Sequence, residues 1–567
     1  MRWLTSQFSI RAARAVVILT VVLTSTASGL AAVANDTIAA NAGGESGPEG
    51  AMIHPVPSDR TLRFEMLSSN HGTALIHDPM NDQGAETPLS IKSAVEADEV
   101  DQADPPWLIR MAPQLERVCE PLPEGTGFVP PAMDLSHLTG DRMPELAASQ
   151  VLPERFDWRD RDGIDYVTPV KSQGKCGACY AFAAIGGFES RLLIDGAGTY
   201  DLSENQAKEG NWRRLNDVGG GCDGGNSRMM ASLFSQKGTV LESCDRYVGS
   251  NDACRLDLGC PYQQTLLGWG IISGDSVPDP AVLKAYLYNY GPVLTSMYTD
   301  KSKGFDSSYN GSYTFDYVTP GISTTHAVVI VGWSNNLPSV PGGKTPAEGW
   351  IVKNSWGSDW GDEGYFYMTY QAANIGMHSS FIYDWQDYDA HGDLWYYDDN
   401  FGTQHWGCSD PTAWGLASFT APDDTNVTRV EVWTTDATTD IDVYIYGGFD
   451  GTAPSNLLTS SLNHSFEEAG YHSIPLSSPL PVNSGDEVVV KLKITNETYS
   501  MPLVLDPEGA IETGRTYGSC DGTPSSWYDI GTTSNADVAI RVRTSRSIAA
   551  PPTVTSITPS SGQNTGP

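Results

Sequence analysis

The stretch QGKCGACYAF, residues 173–182, leads directly into a predicted helix. From Cys179 onward, CYAFAAIGGFESRLLID places its large apolar residues at the spacing of one helix face. A thiol in the first turn of a helix is favoured as a thiolate, because the helix N-terminus carries partial positive charge. Backbone N–H groups of that turn, together with the side-chain amide of Gln173, can hold an oxyanion. The stretch therefore predicts a nucleophilic Cys179 beside its own oxyanion hole.

A base for this nucleophile is expected from the later, strand-rich part of the chain. His326 opens the apolar run HAVVIVGW, and Asn354 directly follows the run WIVK. Both runs have the length and composition of buried strands. An asparagine beside a histidine can fix the imidazole tautomer through one hydrogen bond, and Trp356 can shield that bond from water. We expect Cys179, His326 and Asn354 to meet in one site.

Four ordered blocks resemble the papain family of cysteine peptidases. They are RFDW (155–158) with QGKCGAC (173–179), then GCDGG (221–225), HAV (326–328) and NSWG (354–357). The resemblance covers roughly residues 152–383. His326 follows Cys179 by 147 residues, inside the window of about 130–150 residues for such enzymes, whereas Asn354 follows it by 175. The glycine-rich stretch 337–349 reads as the insertion that accounts for the excess.

The resemblance implies a fold and a set of roles. The fold is an α+β papain-like two-lobe fold, with a helical lobe and a β-barrel-like lobe, followed by an all-β sandwich. Cys179 is the nucleophile, His326 the base, Asn354 its orienter and Gln173 the oxyanion donor. The substrate is a polypeptide, and no metal or organic cofactor is needed. The family pattern also implies substrate contacts at Gly224, Gly225 and Trp356, and a disulfide between Cys176 and Cys222.

The chain departs from the family pattern in three places. Tyr180 stands where the family usually has tryptophan. No cysteine lies between Cys179 and Cys222, so the second disulfide of the helical lobe lacks a partner. One bridge is expected instead among Cys244, Cys254 and Cys260, without a choice between the pairings. The leader before residue 152 shows no long charged helix like the inhibitory propeptide of plant and animal members.

Length and charge exclude several classes of protein. A chain of 567 residues is expected to form three or four segments. Its formal net charge of −35 argues against nucleic acid or anionic membrane as a partner, because both require basic patches. Residues 1–34 read as an export signal, with arginines before the short apolar run AVVILTVVL and a small-residue cleavage pattern near Ala34. We therefore expect a secreted or cell-surface protein with no membrane span in the mature chain.

Nine cysteines in an exported chain predict disulfides plus one odd thiol. Residues 35–151 read as a loosely structured leader or pro-segment, and residues 152–390 as the peptidase domain. Residues 393–545 show short alternating runs such as IDVYIYGG, typical of a sandwich. They resemble a lectin-like domain that follows bacterial and archaeal papain-type peptidases, with Cys408 and Cys520 able to form a bridge. Residues 546–567 read as a linker or the start of an immunoglobulin-like surface module.

The function predicted from these features is a secreted cysteine endopeptidase that acts through a thioester acyl-enzyme. The β-sandwich is assigned a targeting role, with a surface glycan as its possible ligand, although its aromatic residues fit a protein core as well. The alternative is a catalytically inactive papain-like scaffold that serves as an adhesin or carbohydrate-binding protein. A third hypothesis is acyl transfer to an acceptor other than water. It differs from hydrolysis only in the second step, in which the acyl group leaves Cys179.

Overall fold

The computed structural model describes residues 108–111, 125–145, 150–216, 218–251, 259–319, 321 and 324–546. All of them belong to one unit of the chain, Asp101–Pro567. The predicted export signal, most of the leader, the tail from residue 547, and both Cys119 and Cys254 lie outside the described residues. Among the described residues, no helix is long and apolar enough to cross a membrane.

Most of the helices lie in the first half of the peptidase region. They are α1 (Cys179–Ile194), α2 (Glu204–Glu209), α3 (Trp212–Leu215), α4 (Ser227–Gln236), α5 (Pro280–Tyr290) and, far later, α6 (Ile530–Ser534). The Ser203 side chain caps α2 by accepting from the Gln206 amide. Helix α1 is buried on nearly every side, and Gly187 lets it approach Leu294. A Cβ on Gly187 would lie 2.6 Å from the Leu294 side chain, which explains a residue that otherwise weakens a helix.

An antiparallel sheet forms the second lobe. Its strands are β2 (Arg155–Asp157), β3 (Gln264–Ile271), β4 (Val293–Met297), β5 (His326–Leu337), β6 (Ala347–Lys353), β7 (Tyr365–Thr369) and β8 (Met377–Asp387). They pair in the order β7-β6-β5-β4-β8-β3, with β2 on β5. The runs predicted as strands at HAVVIVGW and WIVK are β5 and β6. The α+β two-lobe fold is confirmed, and α1 packs against β5 between the lobes.

The remaining strands form the sandwich. They are β9 (Leu394–Trp395), β10 (Gln404–Gly407), β11 (Thr412–Thr420), β12 (Thr425–Thr434), β13 (Asp440–Phe449), β14 (Pro454–Ser465), β15 (Ala469–Val482), β16 (Glu487–Thr495), β17 (Leu503–Asp506), β18 (Thr516–Ser519), β19 (Tyr528–Asp529), β20 (Asp537–Val538) and β21 (Ile540–Ser545). One sheet has the order β14-β13-β16-β11-β18-β19. Strand β1 (Leu108–Met111), from the leader, pairs with β10. The predicted all-β sandwich is thus confirmed, with a leader strand added to it.

Disulfides connect three pairs of cysteines. They join Cys176 to Cys222, Cys244 to Cys260, and Cys408 to Cys520. Among the described residues Cys179 is the one free cysteine, and it is buried. The sequence left open which two of Cys244, Cys254 and Cys260 form a bridge, and the structure joins Cys244 to Cys260.

The peptidase lobe and the sandwich share a continuous sheet. Strand β3 pairs antiparallel with β15, with Gly270 opposite Gly470. Beside this junction Arg541 of β21 forms a two-oxygen ion pair with Asp398 and donates to the Ser235 hydroxyl of α4 at 3.1 Å. Both charged side chains are fully buried, and a charge left alone there would cost several kcal/mol. The sandwich is therefore built into the peptidase rather than tethered to it.

Candidate active site

Cys179 lies at the first position of α1, as predicted. The Cys176–Cys222 disulfide holds the preceding turn, and the Gly177 amide donates to the Cys222 carbonyl at 3.2 Å. The amide of Ala327, in β5, donates to the Cys179 sulfur at 3.2 Å. The contact places the thiol against the start of the strand that carries His326.

His326 and Asn354 form a hydrogen-bonded pair. The His326 Nε2 atom lies 2.8 Å from Asn354 Oδ1, and both residues are buried. That oxygen also accepts from the Ser355 amide at 2.9 Å, so its orientation is fixed twice. The pair leaves His326 Nδ1 without a hydrogen-bond partner among the described residues. The ring of Trp356 lies 5.2 Å from the imidazole and covers the pair, which is the shielding expected from sequence.

Gln173 is fully buried next to the nucleophile turn. Its Nε2 group donates to the Cys176 carbonyl at 2.8 Å, and its Oε1 atom accepts from the Ser355 hydroxyl at 2.5 Å. Backbone bonding adds to this, since the Gln173 amide donates to the Ser355 carbonyl at 2.8 Å. Sequence reasoning missed Ser355, although it stands inside the NSWG block. Its hydroxyl fixes the Gln173 amide so that the N–H side faces the turn of Cys179.

The glycine pair lies on the opposite wall of the cleft. A Cβ on Gly225 would lie 2.9 Å from the ring of Tyr180, and one on Gly224 would lie 2.7 Å from the Gly127 carbonyl. Tyr180, which replaces the usual tryptophan, is buried and donates to the Gly221 carbonyl at 3.0 Å. The Tyr180 ring therefore packs against Gly225 and supports the glycine pair. The Tyr180 hydroxyl also donates a hydrogen bond that the indole N–H of a tryptophan would have to donate from another position.

Part of the leader lies across this cleft. Residues 125–145, called here the leader segment, enter beside Trp356, whose Nε1 group donates to the Gly125 carbonyl at 2.7 Å. The Val129 amide then donates to the Gly225 carbonyl, and the Gly225 amide donates to the Gly127 carbonyl, both at 2.9 Å. This is a parallel β-bridge centred on Phe128. The leader segment thus occupies the backbone-binding wall predicted for substrate.

The leader segment continues into the protein core. Phe128 is 4% exposed, and its ring meets the ring of His378 edge-on at 5.0 Å. Farther along, Met133, Leu135 and Leu138 join the main hydrophobic core. The prediction of a loosely structured leader is wrong for these residues, because they bury apolar side chains in the core. They form no α-helix or strand apart from the bridge at Phe128, so their sequence shows no periodicity.

Burial shifts the pKa values of the pair toward the uncharged forms. Cys179 and His326 are both 0% exposed. Burial raises the pKa of the Cys179 thiol to about 12. It lowers the pKa of His326 to about 4, although the hydrogen bond that His326 donates to Asn354 acts in the opposite direction. At neutral pH both groups are uncharged in this covered state. Burial thus opposes the thiolate that the helix N-terminus favours.

The site offers nothing that resembles a metal centre. Within the described residues, no group of three or more His, Cys, Asp or Glu side chains is arranged to hold a metal ion. The arrangement suits nucleophilic attack by sulfur, with a base oriented by an amide and an oxyanion held by N–H groups.

Two families match consecutive parts of the chain. Residues 152–385 match the papain family cysteine protease, and residues 394–544 match the lectin like domain. A viral cathepsin of Heliothis zea nuclear polyhedrosis virus is 30% identical over 266 residues, which is 46% of this chain and 65% of that protein. Cysteine proteinase 2 of Entamoeba histolytica is 33% identical over 238 residues, 41% of this chain and 68% of that protein.

A solved structure resembles both parts together. The cysteine protease and lectin-like domains of Cwp84, a surface layer associated protein of Clostridium difficile, superpose with a TM-score of 0.60. The match covers 77% of this chain and 98% of that one at 17% sequence identity, so the likeness is one of fold. With the viral cathepsins the chain shares less than two thirds of their length, 65% and 60%.

Proposed function

Since the chain belongs to the papain family of cysteine proteases, with a lectin-like domain after the peptidase domain, we propose that it is an exported endopeptidase made as a latent precursor. Peptide bonds are hydrolysed at Cys179, with His326 as base and Asn354 as its orienter. The main support for this proposal is the 2.8 Å hydrogen bond between His326 and Asn354. It lies beside Cys179, the one free cysteine among the described residues.

The first half of the reaction forms a thioester. Once the leader segment is gone, the proton of Cys179 passes to His326, and the thiolate attacks the substrate carbonyl carbon. The carbonyl oxygen becomes an oxyanion, which the Cys179 amide and the Gln173 Nε2 group stabilise. His326 then gives its proton to the leaving amine, and the C–N bond breaks.

The second half releases the acyl group. Water loses a proton to His326 and attacks the thioester carbon. The C–S bond then breaks, His326 returns its proton to the Cys179 sulfur, and the carboxylic product leaves. Asn354 keeps the imidazole in the tautomer and orientation that serve both halves, since its oxygen accepts from Nε2 and leaves Nδ1 for the sulfur side. No other group is required.

The leader segment is proposed as the lock of the precursor. It bonds to Gly225 and Trp356, which are substrate positions in this proposal, and it keeps Cys179 protonated. Processing before residue 152 would free the cleft. The disulfides and the predicted export signal support release outside the cytoplasm. The surface-layer association of Cwp84 supports a cell-surface site for this chain too.

Two measurements test the proposal together. The purified chain is incubated with a trace of an unrelated serine protease, the new N-terminus is sequenced, and hydrolysis of a fluorogenic peptide is followed. We expect an N-terminus near residue 152 and activity that appears with it and is absent from Cys179→Ala. Full processing without activity in the parent chain would instead favour the inactive adhesin scaffold. Added amines that divert the acyl product would favour acyl transfer.

A further inference from the structure

A loop of the sandwich reaches the cleft of the peptidase. Residues 398–403, between β9 and β10 and called here the sandwich loop, lie against α4. Arg228 of α4 donates to the Phe401 carbonyl through Nε at 3.2 Å and through Nη2 at 3.0 Å. Gln236, at the end of the same helix, donates to two further carbonyls of the loop at 3.3 and 3.1 Å. These hydrogen bonds fix the sandwich loop on the peptidase.

Phe401 packs with the peptidase although it belongs to the sandwich. Its side chain joins the main hydrophobic core, which is mostly that of the peptidase, and it is 2% exposed. Its φ angle is 135°, in the region that favours glycine. Such a conformation persists where the surrounding contacts hold it, and it is found most often at functional sites. The contacts around Phe401, and not its own backbone preference, therefore set the position of its ring.

A cavity lies between Phe401 and the glycine pair of the cleft. The peptidase contributes Val218, Gly224 and Met229 to its walls, and the sandwich contributes Phe401. Val129 of the leader segment packs into it, since a Cβ on Gly224 would lie 2.8 Å from the Val129 Cγ2 atom. The leader residues that line the cavity are all apolar: Val129, Pro130 and Ala132. Both domains thus form the wall, and an aliphatic side chain covers it in the precursor.

The charged groups of this cavity favour an uncharged occupant. Among the described residues that line it, Arg213 is the one cation, and it pairs with Glu508 of the sandwich at 2.8 Å. The same guanidinium donates to the Val218 carbonyl at 2.7 Å. Asp223 also lines the cavity and is exposed. An acidic side chain would therefore meet two carboxylates and a cation that is already paired, which disfavours it.

The leader segment indicates which substrate residue would reach this cavity. Gly127 lies at the turn that precedes Cys179, Phe128 pairs with Gly225, and Val129 lies in the cavity. An extended substrate in the same groove advances by one residue at each of these steps. Counted from the cleaved bond, its third residue reaches the cavity.

We propose that Phe401, a residue of the sandwich, determines part of the selectivity of the peptidase. Once the leader segment has left, the Phe401 ring forms an apolar subsite with Val218 and Met229. This subsite takes an aliphatic substrate side chain at the third residue from the cleaved bond. The inference rests on the proposed peptidase function and adds a specificity to its cleft. The sandwich then contributes to the choice of substrate, besides the targeting role expected from sequence.

The test measures selectivity with internally quenched peptides. The three residues on each side of the cleaved bond are varied in turn among valine, alanine and aspartate, and cleavage by the processed chain is mapped by mass spectrometry. We expect valine to be preferred over aspartate about tenfold or more in kcat/KM at the third residue on one side. Phe401→Ala should lower this ratio about fivefold or more at that position alone. Val218 is 44% exposed on the same cavity, and Val218→Lys should lower the ratio about tenfold because it provides a cation for the aspartate.

A ratio between two substrates does not depend on how much of a variant folds, so a loss of stability cannot imitate the effect. Phe449→Ala, which changes a half-buried phenylalanine in β13 of the same domain, is the matched control and should keep the parent ratio at every position. Val218→Lys, an exposed change, provides the test if Phe401→Ala does not fold. Parent ratios in Val218→Lys or in folded Phe401→Ala, or a change at another position, overturn the inference and leave the peptidase proposal intact. A processed parent that cleaves none of the peptides overturns the peptidase proposal, and this inference with it.

Discussion

Replacing Gly127 by alanine tests whether the leader segment is what lowers the reactivity of the Cys179 thiol. The new Cβ would lie 1.9 Å from the Gly177 carbonyl oxygen and 2.3 Å from its carbon, far inside van der Waals contact. Gly177 cannot withdraw, because its amide is bonded to Cys222 and the neighbouring disulfide holds the turn. We therefore expect Gly127→Ala to expel the leader segment from the cleft without disturbing the catalytic residues themselves.

The expected effect on the thiol is large. With the pKa of Cys179 at about 12 under the leader segment, the thiolate fraction at pH 7.5 is about 3 × 10⁻⁵. With the ordinary thiol value of 9.0, the fraction is about 3%. Alkylation should therefore accelerate by about 10³-fold once the sulfur is exposed, and further if His326 becomes its ion-pair partner.

The assay is iodoacetamide labelling at pH 7.5, with the Cys179 peptide quantified by mass spectrometry and chain length checked in the same samples. Thr139→Ala, an exposed change within the leader segment, is the control and should label as slowly as the parent. Labelling of Gly127→Ala at the parent rate, with circular dichroism unchanged, would refute the reasoning. Fast labelling of the intact parent would refute it equally.

Three further predictions concern the site and the domain junction. In the processed enzyme, Gln173→Ala should lower kcat by about 10²–10³ with little change in KM, since the amide acts on the oxyanion; loss confined to KM in steady-state assays would contradict this role. Asp398→Asn leaves the Arg541 charge buried without its partner, and should cost about 3–5 kcal/mol in urea unfolding, with peptidase and sandwich lost in one transition; separate transitions would deny the continuous junction. Burial raises the pKa of Glu468 from 4.5 to about 7, so its contribution to native-state stability is fully present below pH 4.5 and is lost as the pH rises through 7. Glu468→Gln should therefore be as stable as the parent at pH 4.5 and about 3 kcal/mol more stable than the parent at pH 8. Equal stability of variant and parent at both pH values would contradict this prediction.

The helix and strands that position the candidate trio were predictable because local patterns encode them, and the trio itself was predicted from four ordered blocks that resemble the papain family. The apolar spacing after Cys179 makes a buried helix whatever surrounds it, and the alternating or apolar runs around His326 and Asn354 make strands. Ser203 can be recognised as the cap of α2 from the three residues that follow it, because its side chain accepts from the Gln206 amide. Each of these features is decided within about a dozen residues, so the sequence contains it.

The position of the leader segment and the junction between the two domains were not predictable, because both depend on contacts between distant residues. Phe128 bridges to Gly225 across the cleft, and Gly270 meets Gly470 through a sheet pairing that no local pattern encodes. From sequence, the helix start favours a thiolate at Cys179, whereas burial of the sulfur raises its pKa and so favours the neutral thiol.

The most direct test of the catalytic assignment is titration of the processed chain with an epoxide that alkylates cysteine peptidases. The account predicts one equivalent of inhibitor bound, located by peptide mapping on Cys179, with activity falling in proportion. Asn354→Ala should slow the labelling, and Cys179→Ala should abolish it. A processed, folded chain that hydrolyses peptides yet takes up no inhibitor at Cys179 would contradict the account at its centre.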